Sequence, residues 1–374
     1  MHLFPALRAR YTREPFSAPE AQRRAELIAW SPVVFEVSRL MVKFGILSLL
    51  RDSDAGLTVE EIAEATSLSP YAVTVLTDAS LSIGTILVDE ATDRFSLSKT
   101  GWFLLTDEGT RVNLEFNHAV NYRGMFHLEE ALREGRPAGL ATLGDWPTIY
   151  EGLSQLPDDV RESWFAFDHY YSDHSFDAAL DLVFSRPIHH LMDVGGNTGR
   201  FALRCVERDA DVCVTIVDLP GQIGLMRRNV AGQLGAERIE GVPADLLDPL
   251  CPLPTSHPWD VIWMSQFLDC FSEAEILTLL TRAADAMGPE TSLFIMETFW
   301  DRQRYETASL CLTLTSVYFT AMANGNSKMY HSERLFALIA RAGLEVVAVH
   351  DGLGRGHTLL EVRRPGKSAC TSTI

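Results

Sequence analysis

Leu191-Met192-Asp193-Val194-Gly195-Gly196-Asn197-Thr198-Gly199 reads as an apolar strand running into a glycine-rich turn, followed by a helix over residues 201–207. Glycine lets the chain turn tightly and lets a ligand approach the backbone. The free N–H groups at the following helix start attract a carboxylate or phosphate. Alone, such a turn is a weak signal, but two acids extend it. Asp218, 25 positions after Asp193, closes the next apolar run in Ile216-Val217-Asp218-Leu219-Pro220. Asp245, in Ala244-Asp245-Leu246, follows a third run. An acid at the second strand end accepts the two ribose hydroxyls of a nucleoside. One at the third strand end can accept from the exocyclic amine of adenine. Asp193 precedes the glycines, where it would repel a pyrophosphate and suit a cationic ligand. No Gly-x-x-x-x-Gly-Lys-Ser/Thr loop occurs, so the site is not a P-loop.

Outward from this turn, HHLMDVGG, CVTIVDLP, DVIWMSQF and SLFIMETF are short apolar segments rich in β-formers and separated by helical stretches. Alternating strands and helices predict a parallel α/β sheet with right-handed crossovers. LEVVAVHD and HTLLEVRR follow one another directly and can pair antiparallel. Adjacent His189 and His190 open the first strand and point to opposite faces, which argues against a metal site there.

The first 170 residues read as mostly helical. Val33, Val37, Leu40, Met41 and Phe44 form an apolar helical stripe. Thr58-x-x-Glu61 is a capping box, and Ser69-Pro70 opens a second helix carrying Val73, Leu76 and Ile83. Residues 86–88 and 95–97, split by a turn-rich stretch, predict a hairpin. Helix, turn, helix and hairpin make a winged helix-turn-helix. Its second helix, PYAVTVLTDASLSIG, has no Lys or Arg and one Asp. A reader of a polyanion is basic there, so packing or dimerisation is the expected role. The segment FAFDHYYSDHSF, residues 165–176, is dense in aromatics and His; it reads either as an inter-domain packing helix or as part of a pocket wall.

The whole chain supports this direction. Its 374 residues carry 32 Lys+Arg and 50 Asp+Glu, a balance of −18. Such a surface repels phosphate backbones and anionic lipid. Its 47% hydrophobic content is that of a folded globular protein. No apolar run is long enough for a transmembrane helix, and no signal-peptide pattern opens the chain. The six cysteines, Cys205, Cys213, Cys251, Cys270, Cys311 and Cys370, lack C-x-x-C spacing, which fits reduced cytoplasmic thiols and no metal.

With DVGGNTG, IVDLP, ADLLD, DVIWMSQFLDCFSEAEI and RLFALIARAGL, the chain resembles the S-adenosylmethionine-dependent small-molecule O-methyltransferases of the hydroxyindole and plant caffeate type. The resemblance covers nearly the whole chain. It implies a Rossmann-like class I methyltransferase sheet over residues 181–365, a helical winged-helix dimerisation and pocket domain over 1–180, and a tail over 366–374. It also implies a homodimer, S-adenosyl-L-methionine as cofactor, and a small aromatic acceptor. Cofactor contacts are expected at Asp193, Gly195, Gly196, Asp218, Leu219, Asp245, Leu246, Ser265 and Gln266. Tyr318, Met322 and Asn324 are expected in the acceptor pocket, with His118, His169 and His174 as further candidates.

Several positions depart from the family pattern. A third glycine is replaced by Asn197, which tolerates left-handed dihedrals. The family's general-base histidine falls on Asp269, its following acid on Cys270 and its basic residue on Ser265. The glutamate that supports that histidine falls on Met329, with His331 nearby as another base. An unperturbed Asp, near pKa 3.9, is a poor base for a phenol near 10 unless burial raises it. Asp269 is therefore read as base or orienter, helix cap, or amine ligand. Methyl transfer to a small aromatic or polyketide-like metabolite is the expected function, to oxygen by default and to carbon as a variant. A cofactor-binding enzyme that hydroxylates or cyclises, and a ligand-sensing regulator, are the alternatives.

Overall fold

The computed structural model describes residues 3–365, so Cys370 and the expected tail lie outside the described residues. The chain divides into two compact units, Glu14–His118 on one side and the segment up to Arg13 together with Ala119 onward on the other.

The Glu14–His118 unit is helical with one hairpin. Thr58 caps the helix Val59–Thr66 through the expected box, and Ser69 caps Pro70–Ile83 by accepting from the Ala72 N–H. Strands β1 (Ile86–Asp89) and β2 (Arg94–Leu97) pair antiparallel. Arg94 donates to both carboxylate oxygens of Glu61, tying the hairpin to the first of these helices. Met41, Ile46, Leu47, Ile62, Val73 and Ile86 fill the core. The stripe on Ser31–Lys43 packs only through its middle: Met41 is buried, while Val33 and Phe44 are exposed.

The larger unit is built on a seven-stranded sheet of β3 (His190–Val194), β4 (Cys213–Asp218), β5 (Ile239–Pro243), β6 (Val261–Ser265), β7 (Ser292–Glu297), β8 (Glu345–Leu353) and β9 (His357–Arg363). Its order is β5-β4-β3-β6-β7-β9-β8. The first five strands are parallel, and β9 inserts antiparallel between β7 and β8. Strands buried on both faces need near-continuous apolar runs, which is why β3, β6 and β7 read so clearly. One face packs Ile262, Met264, Ile276 and Leu280; the other packs Phe201, Val214 and Trp263. The Phe201 and Trp263 rings stack with centroids 4.1 Å apart. Asp260 accepts the N–H groups of His189 and His190 at 2.7 and 3.0 Å, which aligns the starts of β3 and β6.

Residues 119–180, grouped from sequence with the N-terminal domain, pack with the sheet unit. Trp164, on the helix Asp158–Ser172, donates its indole N–H to the Tyr318 hydroxyl at 2.7 Å. Gly124 and Gly139 lie so close to Met322 that an added Cβ would come within 1.9 and 2.8 Å of its sulfur. These are long-range contacts that a local composition change near residue 180 does not register. Among the described residues no helix is long and apolar enough to cross a membrane.

Candidate active site

A cavity of about 280 Å³ opens over the C-terminal ends of the parallel strands. This is where open α/β sheets place ligands, beside the switch in strand order between β3 and β6.

The glycine turn forms its floor. Gly195 takes φ +76°, and its N–H donates to the Val217 carbonyl. A Cβ there would meet the Phe267 ring at 2.4 Å. Asn197 takes φ +49°, the left-handed conformation expected of it. Its N–H donates to Asp218 Oδ2 at 2.8 Å, while the Leu219 N–H donates to Asp218 Oδ1 at 2.7 Å. Asp218 is thereby fixed at the rim of β4. Burial still raises its carboxyl to about pKa 6. Asp193 is 2% exposed, and its Oδ2 has no hydrogen-bond partner. Burial, aided by Asp218, lifts it to about 8. A Cβ on Gly196 would lie 2.7 Å from that oxygen. Asp245 and Leu246 line the cavity after β5, and Gln266, at φ +46°, lines it after β6. Gly195, Asp218, Leu219, Asp245, Leu246 and Gln266 are thus brought together on one wall. Asp193, Gly196 and Ser265 are not on the lining; Gly196 packs against Asp193, and the Ser265 hydroxyl is buried without a partner.

The other end is aromatic and acidic. Asp269 sits in the short turn Leu268–Cys270, is 6% exposed, and receives the Cys270 thiol at 3.6 Å from its Oδ1. Burial raises it to about pKa 6. Glu297, at the end of β7, uses Oε1 to accept the Phe267 and Leu268 N–H groups; its Oε2 has no hydrogen-bond partner. Burial, then Asp269, holds its pKa well above the ordinary value. Tyr318 and Asn324 line the cavity. Asn324 donates to the Cys270 carbonyl and accepts from Ser327, so it fixes the loop as well as forming the wall.

The remaining sequence candidates stand elsewhere. Met322 is not on the wall; it fills the space left by Gly124 and Gly139. His331 is an N-cap: Nδ1 accepts the Glu333 N–H at 3.2 Å, and Nε2 lies 3.7 Å from Asp301. It lies outside the cavity wall. His169 stacks on Phe165 and is held near pKa 4 by burial, and His174 meets Arg355; neither lines the cavity. His118 belongs to the Glu14–His118 unit, where Nδ1 is 3.8 Å from Glu36.

Sequence reasoning missed Tyr150, Trp164, Phe167 and Asp168, all of which line the cavity. Trp164, Phe167 and Asp168 are spaced i, i+3, i+4, one face of a helix. That i, i+3, i+4 spacing is the signal in the sequence that marks them as one face. Asp168 accepts from the Asn197 side chain at 3.2 Å, and burial raises it to about pKa 7.

With this geometry established, two family models match the chain: a Dimerisation2-like domain over residues 22–95 and an O-methyltransferase domain over 160–345. The chain belongs to the S-adenosylmethionine-dependent O-methyltransferase family. It is 24% identical to the demethylspheroidene O-methyltransferase of Rhodobacter capsulatus over 84% of this chain and 74% of that one. It is 27% identical to the aclacinomycin 10-hydroxylase RdmB of Streptomyces purpurascens over 64% and 63%. Its fold matches that of the O-methyltransferase NcsB1 from neocarzinostatin biosynthesis, solved with S-adenosylmethionine and 2-hydroxy-5-methyl naphthoic acid, at TM-score 0.63 and 21% identity over 88% and 96%.

Proposed function

We propose that this enzyme transfers a methyl group from S-adenosylmethionine to a small aromatic or polyketide-like acceptor, with Asp269 in the place of a histidine base. The observation that carries the reading is one continuous cavity with Asp218, Asp245 and Gln266 at one end and Asp269, Trp164 and Tyr318 at the other. The residues present fit the cofactor. The unpartnered Asp193 Oδ2 and raised Asp218 lack a counter-cation, and the cofactor carries an ammonium and a sulfonium. Asp218 would hold the ribose, Asp245 and Leu246 the adenine, and the Gly195–Asn197 backbone the amino-acid portion. When bound, the cofactor supplies an electrophilic methyl group.

Asp269 would accept the acceptor proton. At about pKa 6 it is ionised at neutral pH and about four units below a phenol, against about six for an ordinary Asp. Trp164 and Tyr318, locked to one another, hold an aromatic ring in place, which supplies the alignment that displacement needs. The absence of a histidine keeps C-methylation of an activated ring open beside O-methylation. A Glu14–His118 unit presenting exposed Ile28, Trp30 and Val33, together with its Dimerisation2-like match, supports a homodimer built through a winged-helix module.

A second reading draws on the relative named as a hydroxylase: a cofactor-binding enzyme that does not methylate. Incubation with S-adenosylmethionine and a panel of phenols and naphthols, followed by mass spectrometry and NMR, tests both. A product heavier by one CH2, formed with S-adenosylhomocysteine, supports the first. A product heavier by one oxygen, formed only when dioxygen and an external two-electron reductant are supplied and without S-adenosylhomocysteine, supports the second.

A further inference from the structure

The cavity is lined by Glu151, Asp168, Asp218, Asp245, Asp269 and Glu275, and among the described residues by no lysine, arginine or histidine. Asp218 and Asp245 belong to the strand-end wall and Asp269 to the reacting group. Glu275 accepts the Ser272 N–H and hydroxyl at the start of its own helix, and Glu151 is exposed, which leaves Asp168. It faces the cavity from the helix Asp158–Ser172, and its nearest donor is the neutral amide of Asn197. The charged groups around it do not neutralise it. Arg200 is engaged by Asp173, and His169, 3.8 Å away, is kept neutral by burial. The same cavity is lined by Trp164, Phe167, Phe271, Tyr318 and Phe319. Aromatic faces attract cations, and a carboxylate among them strengthens that preference. The Asp168 side chain is only 26% exposed and has no cation within hydrogen-bond distance, so its carboxylate is incompletely hydrated, and an incoming cation offsets that cost. An acceptor carrying its own carboxylate would meet repulsion throughout.

We infer that the acceptor carries a protonated amine, and that Asp168 is the specificity-determining residue that receives it between the aromatic walls. This rests on the S-adenosylmethionine reading of the strand-end wall. Asp269 remains free for the reacting hydroxyl or ring carbon, so the ammonium and the nucleophile sit on separate parts of the acceptor.

The test uses the full chain saturated with S-adenosylhomocysteine, whose binding is measured first. Two matched sets are titrated by calorimetry: tyramine, tyrosol and para-hydroxyphenylacetate, then serotonin with its alcohol and acetate counterparts. The amine of at least one set binds about ten-fold or more tighter than its carboxylate, the weight of one charge-assisted hydrogen bond, with the alcohol between them. Asp168→Asn removes most of that preference and leaves S-adenosylhomocysteine affinity within about two-fold, since no charged cofactor contact is assigned to Asp168. The inference is overturned if no amine out-binds its carboxylate. It is also overturned if the preference survives Asp168→Asn, or if the loss falls on S-adenosylhomocysteine, which would assign this anion to the cofactor. Failure of the wild-type chain to bind S-adenosylhomocysteine overturns the cofactor reading itself. The wild-type comparison decides the amine preference even if Asp168→Asn does not fold, and Asp168→Ser then tests the residue by the same titration.

Discussion

Replacing Asp269 by Asn removes the proposed base while keeping size and an accepting oxygen. Proton transfer from a phenol near pKa 10 to a carboxylate near 6 is uphill by about 5 kcal/mol, against about 8 for an unperturbed Asp. Burial thus brings general-base assistance within reach, and such assistance is worth about 10²–10⁴ in rate. Asp269→Asn is expected to lower kcat by about 10²-fold or more, with S-adenosylhomocysteine affinity unchanged. The pH profile carries a second signature. Wild-type turnover falls on the acid side through about pH 6 as Asp269 becomes protonated, and this limb vanishes in the variant. Asp168, raised to about 7, could produce a similar limb, so Asp168→Asn is measured in parallel and should retain the limb near 6. The assay is stopped-time chromatography of S-adenosylhomocysteine across pH 5–9 with an accepted substrate. Full kcat in Asp269→Asn, or an unchanged acid limb, refutes the assignment.

Three further outcomes follow from the geometry. Gly196→Ala places a Cβ 2.7 Å from Asp193 Oδ2 and 2.8 Å from Ile216 Cγ2; thermal unfolding should show a loss of about 1–3 kcal/mol, and calorimetry weaker S-adenosylhomocysteine binding. His357 is fully buried, with Nδ1 on the Ser175 hydroxyl and its pKa lowered to about 3. The unfolded chain takes up its proton below about 6.5 and the folded chain does not until about 3. His357 therefore destabilises by about 1.4 kcal/mol per pH unit across that window as pH falls. The buried carboxylates act in the opposite sense, so the readout is the difference between wild type and His357→Gln. It should move by about 2 kcal/mol between pH 7.5 and 5 in favour of the variant. Asp269→His would find the Glu297 Oε2 without a hydrogen-bond partner. It should retain O-methylation where Asp269→Asn loses it, and equal inactivity of the two would separate Glu297 from the base.

Much of this was legible because the signals are local. A buried parallel strand must be apolar along its length, so β3, β4, β6 and β7 announce themselves, and the end of β4 places Asp218. The capping box at Thr58 likewise depends on four consecutive residues. Other features depend on contacts that no window contains. Met322 reads as a wall residue until Gly124 and Gly139, about two hundred positions earlier, are seen to need its sulfur. His331 reads as a base until its ring is seen capping the helix Ser332–Arg341. In the segment 165–176 the histidines are the residues with conspicuous chemistry, yet the helix turns them away and presents Phe167 and Asp168 to the cavity. The carboxylates' raised pKa values come from burial, which sequence composition does not contain.

Calorimetric titration of the full chain with S-adenosylmethionine and S-adenosylhomocysteine, repeated on Asp218→Ala, tests the central claim most directly. The account predicts micromolar or tighter binding of both, weakened about ten-fold or more when the carboxylate anchored by the Asn197 and Leu219 N–H groups is removed. No binding of either molecule, or binding indifferent to Asp218→Ala, would contradict it.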